Sequence, residues 1–395
     1  GSEDDTIEKL LEHYDELSDH IKVETKDPDL YPKFTSQYTD QTVAANSVIV
    51  VCGDKSKVVS NSDMWETSTN YQTYQTQTTG FDGEGQITSA ITYVTSENNP
   101  KVYWVTGHGE ASESDLSTNF SDAINKNNVG ISDLALMTDD IPEDAEELVI
   151  MSPTTDFSED EANKVITYLE NGGKLLMFTS YTGTDMPNLD SILENYGVKR
   201  SSGIVVETDS QHYYPQMPYY LLPNIQSDDI TTEVKSNYIL MPVAQAIQKL
   251  DSYRDTITIK SLLTTTEDAY IENDPENSTW SKSADSETGA FDLGVSITET
   301  VDDKETQIIY FSSASMLSSQ IDQAISGANS KLAATALTSM CDVEQTVVIP
   351  SKSTSYTNLV FTQGAVNTWS IITIAGIPLV LVVIGVMIWM KRRKQ

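Results

Sequence analysis

Residues Trp369–Met390 read WSIITIAGIPLVLVVIGVMIWM, an uncharged run closed at once by Lys391, Arg392, Arg393 and Lys394. At 1.5 Å per residue the run extends roughly 33 Å as a helix, enough to cross a hydrocarbon core of about 30 Å. A core helix of a soluble domain is rarely apolar on every side and then capped by cations, so a transmembrane helix over 369–390 is expected. Trp369 and Trp389 stand near its ends, where amphipathic rings settle at headgroup level. Pro378 is tolerable in a membrane helix, and Gly376 and Gly385 offer small-residue surfaces for close packing against other helices.

The positive-inside rule puts the basic tail 391–395 in the cytoplasm and everything ahead of Trp369 outside the plasma membrane. Ahead of the run lie 20 basic against 59 acidic residues. With a net charge of −35 the chain is no nucleic-acid binder working by phosphate neutralisation, and it offers anionic lipid no basic face outside. Export of the N-terminal region requires a signal peptide or an earlier membrane helix. Gly1-Ser2 resembles a cleavage scar, and Glu3 leads almost directly into a helical pattern. A further N-terminal membrane segment in the native protein is therefore expected. A tail-anchored cytosolic arrangement would instead leave KRRK outside.

Cys52 and Cys341 are too few for a disulfide framework or a Cys-based zinc site. His13, His20, His108 and His212 form neither HExxH nor HxH, so no metal and no cofactor is expected. No GxxxxGK[ST] and no GxGxxG occurs, and the glycine-rich Gly80–Gly85 does not follow a strand as a phosphate loop must. ATP hydrolysis would have to come from another chain.

In the first part, residues 1–99, apolar Ile7, Leu10, Leu11, Tyr14 and Leu17 share one helical face over 6–18. Ile21–Lys26 alternates as a strand, a helical stretch runs from Asp27-Pro28 to Tyr38, and Ser47–Cys52 reads as a buried strand. Gly53-Asp54 is a turn, Lys57–Ser60 a hairpin partner and Phe81–Ser96 a helix. This α-β-α-β-β-α order resembles a small thioredoxin-like unit without its first strand and without a redox CxxC. Residues 100–350 change to repeated β-α units. Strands are expected at Val102–Thr106, Leu134–Met137, Leu148–Met151 and Lys174–Ser180, with helices near Leu116–Asn127, from the Ser158–Glu161 capping box to Asn171, and at Leu189–Tyr196. The alternation predicts an α/β domain with a mostly parallel, flavodoxin-like or amidotransferase-like sheet covered on both faces. Residues 207–235 read as loop-rich, and further strands are expected at Tyr238–Val243, Ile257–Leu263, Phe291–Glu299 and Gln307–Phe311, the last two around an Asp302-Asp303 turn. Asp268–Gly289 reads as an acidic mobile excursion, Gln320–Cys341 as one helix, Thr346–Ile349 as a last strand and residues 351–368 as a polar juxtamembrane stalk.

Several segments together resemble one family. They are VYWVTGHGE (Val102–Glu110), ELVIMSPTTDFSEDEANKVITYLENGGKLLMF (Glu147–Phe178), IKVETKDPD (Ile21–Asp29) and the closing IPLVLVVIGVMIWMKRRK. The resemblance is to the gliding-motility-associated (Gld-type) auxiliary components of ABC transporters, often labelled substrate-binding. It implies an extracytoplasmic α/β domain tethered beside an ABC permease and a cytoplasmic ATPase, with the substrate open. The very acidic, Ser/Thr-rich character departs from that pattern, and a role in gliding itself does not follow.

Three places invite a chemical reading. Gly107-His108-Gly109-Glu110 lies where a strand ends, the side on which open α/β sheets bind ligands. His108 could exchange protons and Glu110 orient it, or the glycines could simply turn the chain while both side chains bond nearby backbone. Ser152 follows a strand as a hydrolase nucleophile would, but lacks GxSxG and is followed by Pro153, which favours a turn into the capped helix. Tyr213, Tyr214, Tyr219 and Tyr220 could stack on a sugar or anchor a partner, or pack a long loop on the sheet. No catalytic set converges. The expected role is thus a non-catalytic, membrane-anchored auxiliary or substrate-binding subunit of an ABC transporter, with an extracellular hydrolase or an adhesion ectodomain as alternatives.

Overall fold

The computed structural model describes residues 4–27, 30–31, 33–39, 42–70, 75–96, 99–276, 279–341, 349, 352–353 and 361–393. The chain divides into two compact units. The first comprises residues 1–101, 122–131 and 341–357, and the second residues 102–121, 132–340 and 358–395.

The first unit opens with α1 (Asp5–Leu17), whose Asp4 carboxylate accepts the N–H groups of Thr6 and Ile7. Such a cap satisfies donors that the helix itself cannot. Ile7, Leu10, Leu11 and Tyr14 pack with Val59, Met64, Ile87 and Ala90. Leu17, at the last turn, is exposed and takes no part. β1 (Val48–Cys52) and β2 (Lys55–Val59) form the expected hairpin, with Gly53 at φ +60°. β3 (Trp65–Asn70) pairs antiparallel with β4 (Gln75–Phe81), and α2 (Gly83–Thr95) follows. The element order therefore departs from the one expected. Ile21–Lys26 forms no strand and enters no ladder, because its few apolar side chains, Val23 among them exposed, bury too little to hold a strand in a sheet. The helix expected up to Tyr38 shrinks to one 3₁₀ turn, Thr35–Gln37, with Pro28 outside the described residues.

The second unit is built on one large sheet. Its first strands are β5 (Lys101–Val105), β6 (Gly130–Leu134), β7 (Glu147–Met151) and β8 (Lys174–Phe178). Helices α3 (Thr118–Lys126), α4 (Glu159–Glu170) and α5 (Pro187–Asn195) alternate with them. Next in the chain come β9 (Val198–Val206), the short β10 (Tyr213–Tyr214), β11 (Met217–Leu221), β12 (Asn224–Ile225), β13 (Met241–Pro242) and β14 (Gln245–Lys249), of which β10, β11 and β13 form a small antiparallel sheet of their own. β15 (Ile257–Thr264), β16 (Tyr270–Glu272), β17 (Asp292–Val301) and β18 (Lys304–Phe311) complete the large sheet. The sheet runs β16-β9-β14-β17-β18-β8-β7-β5-β6, with β15 on β17 and β12 on β15. β18, β8, β7 and β5 are parallel, and the strands from β17 to β16 are antiparallel. β7 is buried at every residue, as a strand covered on both faces must be.

Several expected boundaries shift. The strand expected at Leu134–Met137 lies earlier, at β6, and only Met241–Pro242 of Tyr238–Val243 pairs. The acidic excursion begins with buried Tyr270 and Ile271 laddered on β9. Asp302 and Asp303 both adopt positive φ, +49° and +62°, the backbone that a two-residue hairpin turn requires. The expected final helix is two, α6 (Ser319–Ala324) and α7 (Ala328–Met340), broken at Ser326 and Gly327, both at positive φ. The expected strand Thr346–Ile349 lies mostly outside the described residues.

The chain ends in α8 (Gln363–Arg393), long and apolar enough to cross a membrane and exposed throughout its most apolar stretch. It starts ahead of Trp369, so the C-terminal part of the expected stalk is helical, while Lys352–Ser353 (β19) pairs with β4. Pro378 has no N–H to give, and the turn before it, Ile372–Gly376, widens to a π-turn in which Ile377 N–H reaches Ile372 O. Lys391, Arg392 and Arg393 occupy the last turn, with the Arg393 guanidinium 5.2 Å from the Trp389 ring centroid. Lys394 lies outside the described residues.

Candidate functional site

β5 and β7 lie side by side and end together, and the loops that leave them hold two of the three expected site segments. Gly107 and Gly109 take φ +122° and +75°, and a Cβ on Gly109 would overlap the Thr154 hydroxyl. The two glycines let the chain double back so that His108 turns inward and is buried. Its backbone carbonyl accepts N–H bonds from Thr154 (2.9 Å) and Thr155 (3.1 Å), and Ala111 N–H donates to Met151 O. The two loops thereby bond each other across the carboxyl ends of β5 and β7, where an open α/β sheet would otherwise take a ligand.

The His108 ring lies between two carboxylates. Nδ1 is 3.3 Å from Glu110 Oε1, and Nε2 is 3.2 Å from Glu161 Oε2. Glu110 Oε2 also accepts the His108 backbone N–H at 2.6 Å. Phe157 stacks on the ring at a centroid distance of 4.4 Å. Glu161 belongs to the capping box of α4, where its Oε2 accepts Ser158 N–H at 2.9 Å and Ser158 Oγ–H at 2.7 Å. Burial pushes the Glu161 carboxyl up, but the Ser158 hydrogen bonds and the neighbouring imidazole outweigh it and hold the group below its ordinary value. Both ring nitrogens thus face carboxylates already engaged with backbone. Neither is aimed at a hydroxyl that it could deprotonate.

Ser152 sits at φ +53°, a backbone conformation that costs a non-glycine residue on the order of 1 kcal/mol. Its Oγ–H donates to Ser180 Oγ at 2.8 Å, and no hydrogen bond joins it to His108 among the described residues. A serine whose proton goes to another serine has no base to activate it. The structure therefore brings His108 and Glu110 together, adds Glu161, and leaves Ser152 on a separate bond.

The tyrosines do not join this group. Tyr213 and Tyr214 lie on β10, and Tyr219 and Tyr220 on β11. The Tyr219 and Tyr220 rings meet edge to face at 5.4 Å. Tyr219 stacks on Trp280 at 4.4 Å, and Tyr214 stays partly exposed. Buried Glu207 organises the approach to this hairpin, accepting the N–H groups of Thr208 and Asp209 and both the N–H and the hydroxyl of Thr266.

What these features define is a mixed α/β sheet domain, closed over the carboxyl ends of β5 and β7 and continued by one membrane-length apolar helix. A family model described as an ABC-type uncharacterized transport system matches residues 99–339, more than half of the chain, and the chain belongs to that family. Comparison with curated proteins finds no match. Among solved structures, the chain is similar to the mmIFT52 N-terminal domain, with 15% identity and a TM-score of 0.45 over 61% of this chain and 96% of that one. It is also similar to a ThuA-like protein from Parabacteroides merdae ATCC 43184, at 13% identity and a TM-score of 0.36 over 67% of this chain and 99% of that one. A third is the exo-beta-1,4-mannosidase Op5Man5 from Opitutaceae bacterium strain TAV5, at 11% identity and a TM-score of 0.32, where the alignment covers 64% of this chain and 37% of the mannosidase.

Proposed function

We propose that the chain is a non-catalytic, membrane-anchored auxiliary subunit of an ABC transport system, its sheet domain outside the cytoplasm and its basic tail within. The family match over residues 99–339 carries this reading. The carboxylate-bound His108, the serine-bonded Ser152 and the length of α8 support it. In the sheet, the order β6-β5-β7-β8-β18 corresponds to the 2-1-3-4-5 order of a flavodoxin-like domain and supports that description of the larger unit. Energy would reach this subunit by contact. Gly376 and Gly385 leave open notches on α8, suited to close packing against permease helices. Extraction in mild detergent is expected to co-purify a polytopic permease and a cytoplasmic ATPase, and Gly376→Leu with Gly385→Leu to weaken that complex. Elution of the native protein alone, with no permease recovered by crosslinking, would remove the assignment.

The second reading, an extracellular hydrolase, draws on the strained backbone of Ser152 at a strand end. Turnover of ester, amide or glycoside panels that disappears in Ser152→Ala would establish it.

A further inference from the structure

The start of α8 is fastened to the hairpin β10–β11. Gln216, at the hairpin tip, donates its backbone N–H to Gln363 Oε1 at 2.9 Å. Gly364 N–H donates to Ser210 O at 2.7 Å, and Thr362 Oγ–H to Gln211 Oε1 at 3.0 Å. A Cβ on Gly364 would overlap the Gln211 amide, so the close approach depends on glycine there. The hairpin base is itself fixed, with Gln211 N–H on Asp209 Oδ1 and His212 Nδ1 3.1 Å from Leu222 O. The apolar helix therefore leaves the domain from a built joint.

That joint lies close to the expected membrane surface. From Gln363 to Trp369 a helix rises about 9 Å, against a headgroup layer of roughly 5–7 Å on each side of the hydrocarbon. Around it the chain presents Tyr214 (36% exposed), Met217 (38%) and Phe361 (47%) to solvent. Beyond Asp209 at the hairpin base, the two chain segments that form the joint carry no charge of their own. No Asp, Glu, Lys or Arg occurs between Asp209 and Asp228, nor between Lys352 and Lys391, in a chain with 59 acidic residues. Tyrosine and methionine beside an uncharged backbone turn suit the interfacial layer, where an aromatic ring can bury its body and keep its hydroxyl wet.

We infer that the β10–β11 hairpin is a membrane-interface contact: Tyr214, Met217 and Phe361 rest on the lipid headgroup layer and hold the sheet domain at a set angle to α8. The inference rests on the reading of α8 as a membrane anchor. Its occupant is lipid, because the patch is continuous with the apolar helix through the Gln216–Gln363 bond.

The test uses the full chain carrying Cys52→Ser, with one added cysteine labelled with an environment-sensitive fluorophore, in phosphatidylcholine vesicles with or without brominated acyl chains. Labels are placed at Met217→Cys, at Ile374→Cys as the anchor control and at Val301→Cys, an exposed hairpin end, as the solvent control. The expected result is a blue shift at 217, with bromine quenching weaker than at 374, while 301 answers only to aqueous iodide. Adding Gly364→Val should abolish the shift at 217 and leave quenching at 374 unchanged. Iodide access at 217 equal to that at 301, with 374 still quenched by bromine, overturns the hairpin contact and leaves the anchor standing. Loss of bromine quenching at 374 overturns the anchor itself. Protection at 217 from both quenchers means that a second copy covers the patch, which also overturns the lipid assignment.

Discussion

Replacing His108 by alanine separates a structural centre from a catalytic one. The imidazole lies 3.3 Å from Glu110 and 3.2 Å from Glu161, whose side chains are 1% and 4% exposed. His108→Ala leaves both carboxylates buried without the imidazole between them, and opens a gap beneath Phe157. Leaving a buried carboxylate short of a hydrogen-bond partner and opening a side-chain-sized gap costs about 2–4 kcal/mol. For a folding unit of this size that corresponds to a fall in Tm on the order of 10 °C. The pH dependence has a definite sign. Glu161 is held below its ordinary value in the fold, so its contribution is present above the unfolded value of about 4.3 and is lost as pH falls through the depressed folded one. In the variant the upward push of burial loses one of its opponents, and the folded value moves up. The stability gap between wild type and variant should therefore be widest near pH 7 and narrow as the solution is acidified through the carboxylate range. Thermal unfolding of the detergent-solubilised chain, followed by near-ultraviolet circular dichroism across that range, measures this. A Tm within about 2 °C of wild type at pH 7, at most about 1 kcal/mol, would refute the bracing role.

Asp322 is fully buried and accepts from Ser117 Oγ, Asn119 Nδ2, Ser330 N and Ser330 Oγ, so Asp322→Ala should cost about 3–5 kcal/mol in urea unfolding. Ser158→Ala removes the α4 cap and one of the bonds that lower Glu161, and should cost about 1–2 kcal/mol in the same assay. Asp303→Gly relieves a left-handed residue in the β17–β18 turn and should raise stability by about 0.5–1 kcal/mol, read as a higher urea midpoint at unchanged slope.

The parallel half of the sheet was legible because its strands are short apolar runs bounded by glycine, proline or a capping box, as in ELVIM before Ser152-Pro153 and KLLMF after Gly172-Gly173. β3 and β4 were not: WETSTN and QTQTTGF carry threonine and glutamine where the pattern needs apolar alternation. β9 escaped because its first residues, VKRSS, lack an apolar alternation, although Arg200 is held by Asp190 at 2.6 Å. At the site, the glycine spacing around His108 announced a turn. Its partner Glu161 was visible only as a helix cap, since nothing in a capping box tells which distant ring will use the second face of its carboxylate.

β18 lies parallel to β8 in the register Gln307 to Lys174, yet the whole antiparallel half of the sheet is encoded between them. During synthesis β8 must wait, with one edge unpaired, until Phe311 has been made. Long-range pairing of this kind is slow and leaves an apolar edge open to other chains in the meantime. α8 begins 52 residues after β18 ends, so the sheet can close only shortly before the apolar helix is made. On the proposed anchoring, sheet closure and passage of the helix into lipid would then compete in time. Slowing one, by a weakened β17–β18 turn for example, should show first as lost yield and only later as lost stability.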